Sequence, residues 1–470
     1  MNQPKKVHFI GICGVAMSAV ATALWQKGYR VTGSDSGFFP PVSTHLTNLG
    51  IPYYPGSHPE KMIMGGVPDF VIVGNAVASQ NSELVYACEN NIKIKSYPEA
   101  VAEFLIAKKS IVCAGTYGKT TSAALLSHIF KHAREKPSYM FGGLAEDGSP
   151  AAAIDSGKWS VVEGDEYSTV KWDKKAKFFH YKPTHLMLTS VKWDHADLYP
   201  TEESYFGAFK KLIAAIPSNG KIVFCTDGRE LRPLVMDARV SKENLTSYGS
   251  SKNALYKYKN LNQTSEGLVF DIVYHGKTYN IKSPLLGSYN AENITGCFAM
   301  AHSAGISPGE ISDAIKSFSG LKRRMEKRYE NKVTVMDDIA HSPEKAKSVL
   351  NNLRHIYEGL VIAVYEPNMG NRTLQSAPAY KDAFKDADIV VIPRLSKLKV
   401  NRANPKKAFD GKDLAEIIKK NHKEVYYFDD DDELVGFLAR GRSRGDVIVF
   451  LGSHGWRGMI EETVKRLAGK

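Results

Sequence analysis

Hydrophobic positions along the chain form short strand-like runs, separated by stretches in which apolar residues recur at helical spacing. Val7–Ile10 is the first run. Gly11-Ile-Cys-Gly14 breaks it, and Ala19, Val20, Ala23 and Leu24 then mark one face of a helix. A second run, Tyr29–Thr32, ends in Gly33-Ser34-Asp35, and others follow at Phe70–Val73 and Ile92–Ile94. Alternating strands and helices predict a parallel sheet covered on both faces. Ser96-Tyr-Pro-Glu99 precedes a helical stretch to Ile106, and Lys108-Lys109 reads as a linker.

The alternation resumes with strands at Ile111–Ala114, Trp159–Val162 and His185–Thr189. Between Leu255 and Ser283 it changes to period two with Gly breaks, as in Gly267–Tyr274 and Gly276–Ile281, which predicts antiparallel hairpins added to the sheet. A third αβ series follows at Val333–Met336, Gly359–Tyr365, Ile389–Ile392, Glu424–Tyr427 and Asp446–Leu451, the last ending in Gly452-Ser-His454-Gly455. A chain of 470 residues exceeds what one core supports at roughly 100–200 residues per domain. The expected architecture is α/β in three domains. They are a Rossmann-like domain over 1–108, a central P-loop ATPase-type parallel sheet with hairpins over 109–319, and a Rossmann-like domain over 320–470.

Candidate chemistry gathers at the turns after strands. Gly115-Thr116-Tyr-Gly118-Lys119-Thr120-Thr121 follows the run at Ile111–Ala114 and opens a helix. Glycines let backbone N–H groups approach phosphate oxygens, the helix N-terminus adds its dipole, Lys119 reaches outer phosphates and the Thr120 hydroxyl suits Mg²⁺. The long form of this loop would place Gly at 113, where Cys113 stands. Two later turns bring Glu163-Gly-Asp165-Glu166 and Asp194-His195-Ala-Asp197 to strand C-termini, where open α/β sheets bind ligands. Glu166 is the first choice as a metal ligand and His195 the second; a solvated turn and a capped or core histidine are the plainer readings. Asn290 and Asn293 share a helix face and suit either an adenine edge or a helix cap. Gly11 and Gly14 suit a nucleotide diphosphate, with Ser34 or Asp35 near a ribose or sugar; a tight packing turn is the alternative.

Charge adds little. The net +12 comes from 62 Lys+Arg against 50 Asp+Glu, but the cations are scattered in short runs such as Lys322-Arg-Arg and Lys406-Lys407. No RNA-module aromatic signature accompanies them, so the expectation is no nucleic acid. The five cysteines are far apart without a C-x-x-C, which reads as reduced thiols in a cytoplasmic protein. No apolar run reaches membrane-spanning length, so no membrane insertion is expected.

Taken together, these motifs resemble the Mur ligase family of ATP-dependent amide-forming ligases. The likeness rests on Ala114–Thr121, Glu163–Glu166, Asp194–Asp197, Gly287-Ser-Tyr-Asn-Ala-Glu-Asn293, Lys322-Arg-Arg-Met-Glu326 and Asp337-Asp-Ile-Ala-His-Ser-Pro343, in family order over essentially the whole chain. The start, Gly11-Ile-Cys-Gly14 with Thr32-Gly-Ser-Asp35, is similar to the branch that uses UDP-N-acetylmuramate. Pro40–Thr44, Val73–Ala76 and Asp165-Glu-Tyr167 continuing to Trp172–Tyr181 resemble the member that recycles a wall tripeptide rather than the one that adds L-alanine. Tyr117, Gly164 and Ser342 depart from a common His, Ala and His.

The resemblance implies ATP and Mg²⁺ as cofactors, UDP-N-acetylmuramate and a peptide or amino acid as substrates, and a monomer or weak homodimer. It implies catalytic roles for Lys119, Glu166, His195 and Arg324, metal binding by Thr120, Glu166 and His195, and nucleotide contacts from Arg324, Asp338 and His341. Arg324 and Asp338 would arrive with the third domain as it closes. Lys210, on the helix after His195, is either a carbamylated lysine or an exposed helix lysine. Two rival classes remain: an NAD-dependent oxidoreductase, which leaves Gly-Lys-Thr-Thr unused, and a nucleotide-gated regulatory protein, which needs no amine site.

Overall fold

The computed structural model describes residues 4–38, 42–195, 198–227, 231–396, 408–453 and 455–469. Pro40, Pro41, Asp197, Lys406, Lys407 and His454, named above, lie outside them. The expected mixed α/β fold with parallel sheets is found. The chain divides into two compact units. The first comprises Met1–Leu261, Val269–Ser283 and Tyr289–Ser319; the second comprises Asn262–Leu268, Pro284–Ser288 and Gly320–Lys470.

The first sheet contains β1 (Lys6–Ile10), β2 (Arg30–Asp35), β3 (Tyr53–Pro55), β4 (Phe70–Val73) and β5 (Lys93–Ser96) in the order β3-β2-β1-β4-β5. All its pairings are parallel. The order reverses between β1 and β4, and the turn at Gly11 leaves β1 there. Ser96 and Glu99 form a capping box with Pro98 in the first turn, so the following helix starts at Tyr97 and runs to Phe104. Lys109 is not linker but the first residue of the next strand. Its N–H bonds Lys158 O, and its ammonium sits 4.9 Å over the Trp159 ring, which explains how a charged residue starts a central strand.

The central sheet is built from β6 (Lys109–Ala114), β7 (Ser138–Met140), β8 (Ala152–Ala153), β9 (Trp159–Gly164), β12 (His185–Leu188), β13 (Lys221–Cys225), β14 (Leu245–Gly249), β15 (Tyr256–Thr264), β16 (Gly267–Tyr274) and β17 (Lys277–Ser283). A separate hairpin, β10 (Ser168–Val170) with β11 (Asp173–Ala176), follows β9 and is antiparallel. The ten strands run β17-β16-β15-β14-β13-β12-β6-β9-β7-β8. β6 lies in the middle, parallel to both β9 and β12, so three C-terminal strand ends open side by side.

The second unit holds β18 (Glu326–Glu330), β19 (Thr334–Asp338), β20 (Val361–Glu366), β21 (Ile389–Pro393), β22 (Val425–Phe428) and β23 (Val447–Gly452), in the order β18-β19-β23-β20-β21-β22. Only β18 is antiparallel to its neighbour. Alternate residues of its strands feed two cores. Met336, Ala363 and Val449 pack with Leu350 and Leu414 on one face; Val335, Ile362 and Ile448 pack with Leu434 and Met459 on the other. Ser342 caps the helix Pro343–Ile356 by accepting the Lys345 N–H, which accounts for a small hydroxyl residue before that proline.

Candidate active site

The Gly115–Thr121 loop owes its shape to its surroundings. Cys113 is a fully buried strand residue paired with Met187 on one side and Glu163 on the other. The loop therefore starts one step later, and no glycine is needed at 113. Gly115 has φ +140, and any Cβ there would strike the Thr189 hydroxyl. Gly118 has φ +83 and caps the helix Lys119–His132 without a side-chain bond; a Cβ there would collide with the Asn293 amide. Thr116 clasps the loop to residues 190–192. Its N–H donates to Ser190 O at 2.7 Å and its hydroxyl to Lys192 O at 2.7 Å, while Tyr205 OH lies 2.9 Å away. Thr121 is half-buried in the first helical turn.

Three charged groups converge behind this loop. Lys119 Nζ lies 3.0 Å from Glu166 Oε1 and 2.9 Å from Oε2. Glu166 is 1% exposed, and its Oε1 also meets His195 Nε2 at 3.4 Å and Tyr205 OH at 3.3 Å. Tyr199 OH donates to Glu166 O at 2.6 Å, fixing the backbone behind the carboxylate. Thr120 donates to Glu163 Oε1 at 2.8 Å, and Gly142 N–H donates to Glu163 Oε2. Burial works to lower the Lys119 ammonium, but Glu166, Asp165 and Glu163 outweigh it and raise its pKa. The hydrogen bond to Glu166 raises the His195 imidazole above its ordinary value. Asp165, buried but facing Lys177 and Lys119, is held below the usual carboxylate range.

Divalent metal chemistry fits this donor set. Glu166 Oε2 is buried and accepts no hydrogen bond in good geometry among the described residues, although it lies in Coulombic contact with Lys119. A hydroxyl, two carboxylates and an imidazole within reach of a phosphate-type loop suit Mg²⁺. Asn290 and Asn293 are buried within the helix Tyr289–Ser303 rather than capping it, and Asn293 Nδ2 donates to Asn290 Oδ1 at 3.0 Å. Asn293 reaches the loop at Gly118. Sequence reasoning passed over Glu163, Tyr199 and Tyr205; for Glu163, an acid at the end of its strand three residues before Glu166 was the available signal.

Lys210 is placed elsewhere. Its exposed ammonium pairs with Asp237 at 3.3 Å and is not among the groups meeting Glu166 or His195. Of the two readings of Lys210, this placement is that of the exposed helix lysine.

At the first sheet, Gly11 (φ +86) and Ile12 donate their N–H groups to Ser34 O. Cys13 N–H donates to Asp35 Oδ2 at 2.8 Å, and Asp35 Oδ1 accepts from Ser36. The helix Val15–Gln26 begins after Gly14 with no side-chain cap, so its first N–H groups form the anion-suited feature of this turn. Ser34 and Asp35 both support the turn from within the protein. The Ser34 hydroxyl is buried and donates to Glu83, while Asp35 pins the glycine turn. Glu83 also accepts from Tyr54 OH and His58 N–H and lies 3.5 Å from His8 Nε2; burial opposes its ionisation, but these partners hold its carboxyl down at about 2.

In the second unit, Arg323 (φ +60) and Met325 (φ +52) take left-handed backbone on either side of Arg324. Arg323 points inward, to Asp337 at 3.3 Å and to the carbonyls of Gly452 and Ser453. Arg324 is exposed. Asp338 is fully engaged: its oxygens accept Met325 N–H and Ala340 N–H, both at 2.8 Å. These two bonds brace the arginine loop, as a buried carboxylate is satisfied where backbone donors converge. His341 Nδ1 lies 2.8 Å from Ile339 O.

Comparison with known proteins gives three family-model matches. These are the Mur ligase family catalytic domain over residues 6–109, the Mur ligase middle domain over 113–301 and the Mur ligase glutamate ligase domain over 323–454. The chain is 32% identical over 368 residues to the UDP-N-acetylmuramate–L-alanyl-γ-D-glutamyl-meso-2,6-diaminoheptandioate ligase of Haemophilus influenzae, covering 77% of this chain and 80% of that one. It is 28% identical over 485 residues to the UDP-N-acetylmuramate–L-alanine ligase of Agrobacterium fabrum, covering 100% of both. Among solved structures, the UDP-N-acetylmuramate–alanine ligase of Thermotoga maritima superposes with a TM-score of 0.77 at 24% identity, covering 99% of this chain and 98% of that one. Among the described residues, no helix is long and apolar enough to cross a membrane.

Proposed function

Because the chain belongs to the Mur ligase family of ATP-dependent, ADP-forming amide ligases of peptidoglycan synthesis, we propose that it joins UDP-N-acetylmuramate to a cell-wall tripeptide. In this reading a muramoyl carboxylate oxygen attacks the γ-phosphorus of ATP and ADP leaves. The peptide amine then attacks the acyl carbon, the C–O bond to phosphate breaks, inorganic phosphate departs and the amine gives up a proton.

The observation that carries the ligase reading is the convergence of Lys119, Glu166 and His195 behind Gly115–Thr121, with Thr120 on Glu163. Phosphoryl transfer needs positioning and charge neutralisation rather than covalent help from the protein. Gly115, Gly118, Thr120 and Thr121 supply backbone N–H groups to the phosphates, Thr116 clasps the loop in place, and Lys119 supplies positive charge. Thr120, Glu163, Glu166 and His195 would hold Mg²⁺, whose chemistry is to neutralise phosphate oxygens. In this reading Asn290 and Asn293, buried on one helix face, serve the adenine edge. The N–H groups after Gly14 receive the UDP diphosphate.

The tripeptide is favoured by the 32% identity to the Haemophilus ligase and by the β10–β11 hairpin. That hairpin presents exposed Lys171, Lys174 and Lys175 beside an exposed Trp172, and cations suit an amine substrate with several carboxylates. The Agrobacterium ligase, matched end to end, favours L-alanine as the second reading.

The test supplies ATP and UDP-N-acetylmuramate with either amine and weighs the product by mass spectrometry, while phosphate release is followed in parallel. The tripeptide adduct is expected, with phosphate released only when both substrates are present. Product from L-alanine alone reverses the choice of amine. ATP hydrolysis indifferent to both substrates refutes the ligase.

A further inference from the structure

The segment that carries His195 has little structure of its own. Residues 190–195 form neither helix nor strand, and His195 adopts left-handed backbone at φ +57. Local hydrogen bonds fix its main chain: its N–H donates to Asp194 Oδ1 at 2.7 Å, and its carbonyl accepts from Leu198 and Tyr199. None of these holds the ring. On such a loop the imidazole has several staggered rotamers open to it.

Among the described residues, the ring meets Glu166 and Tyr167. Glu166 lies 3.4 Å away. The Tyr167 ring stands edge-on to the imidazole with centroids 5.0 Å apart and planes at 88°. Tyr167 follows Glu166 directly, so a single backbone step sets both contacts. That step is itself braced. Tyr167 N–H donates to Asp165 Oδ1 at 3.0 Å, and Lys177 N–H returns from the far end of the hairpin to Tyr167 O at 3.1 Å. Lys177 Nζ pairs with Asp165 Oδ2 and lies 5.7 Å from the Tyr167 ring centroid, on its face. The hairpin, the lysine and the tyrosine thus form one clamp, closed on itself at Asp165 and pressing an aromatic edge onto His195.

We propose that Tyr167 is a positioning residue, which with Lys177 confines the His195 imidazole to the rotamer that faces Glu166. The inference rests on the reading that His195 serves the nucleotide site, and it holds whichever amine is the substrate. The ring contact is what positions the imidazole, so Tyr167→Phe, which keeps it, retains the function and Tyr167→Ser loses it. Three χ1 wells and a roughly two-fold χ2 dilute an unconfined rotamer by about three- to six-fold. Tyr167→Ser therefore lowers kcat by about three- to six-fold with little change in KM for ATP, and Lys177→Met has the same effect in weaker form.

The first readout needs no metal or turnover. In protein with labelled histidine rings, the His195 signal, assigned with His195→Gln, is shifted by the Tyr167 ring current. It moves and broadens in Tyr167→Ser and returns in Tyr167→Phe. The second readout is kinetic. In a His195→Ala background, Tyr167→Ser has no further effect on kcat, because the group it positions is gone; a merely structural role would lower kcat again. An unmoved His195 signal, or additive losses, overturns the proposal. Full activity in His195→Ala alone instead overturns the role assigned to His195, so the two failures are distinguishable.

Discussion

The Lys119–Glu166 pair offers the sharpest quantitative test. Its atoms lie 2.9–3.0 Å apart, with side-chain exposures of 12% and 1%. At that distance and an effective dielectric of about 20, the Coulombic attraction is about 6 kcal/mol. Desolvation offsets much of it, yet removing one partner leaves the other charge buried, at a cost of about 3–5 kcal/mol. Lys119→Met and Glu166→Gln are each expected to destabilise the first unit by about 3 kcal/mol. The double variant, with neither charge left unpaired, loses clearly less than the sum, giving a coupling of about 2 kcal/mol or more. Four of the five tryptophans, Trp25, Trp159, Trp172 and Trp193, belong to the first unit, so urea unfolding followed by fluorescence in a Trp456→Phe background reports that unit. Additivity of the two single variants within about 0.5 kcal/mol would refute the pairing as an energetic unit.

Three further outcomes follow from the same geometry. Gly118→Ala combines left-handed backbone, which costs about 1–2 kcal/mol, with a collision against Asn293; ADP affinity measured by titration calorimetry is expected to fall at least about ten-fold, and unchanged affinity contradicts the loop assignment. Glu83, held at about 2 against an ordinary 4.5, contributes roughly 3 kcal/mol that is fully present above about pH 4.5 and is lost as pH falls towards 2. Glu83→Gln should therefore flatten the acid limb of the urea-midpoint profile and lower stability at pH 7; an acid limb as steep as the parent's would count against it. Asp338→Asn, which keeps one carbonyl acceptor for two backbone N–H donors, is expected to destabilise the second unit by about 1–3 kcal/mol, read from Trp456 fluorescence, and to lower kcat/KM by loosening the backbone around Arg324.

What was legible in the sequence, and what was not, divides along a physical line. Strands such as Phe70–Val73 were readable because a central parallel strand is covered on both faces and needs a continuous apolar run. The phosphate-type loop was readable because glycines with positive φ at 115 and 118 cannot be replaced without strain, so local backbone chemistry shows in local sequence. The β10–β11 hairpin escaped because its strands are only three and four residues long and Lys171, Lys174 and Lys175 crowd its turn and second strand, which no periodicity distinguishes from a solvated loop. Partner choice was the other blind spot. Thr120 meets Glu163 across 43 residues and Ser34 meets Glu83 across 49, distances at which only the folded topology decides which carboxylate faces which hydroxyl. Arg323 and Arg324 make the point most sharply. They are adjacent and chemically identical, yet one is locked to Asp337 and the other is exposed within electrostatic reach of Asp338, on a loop whose backbone is left-handed at 323 and 325. Sequence thus locates the strand ends at which chemistry gathers, because those ends are dictated locally. How the side chains there are held is set in part by buried acids such as Asp338 and Glu83, so variants of these braces should lose activity through the backbone they hold.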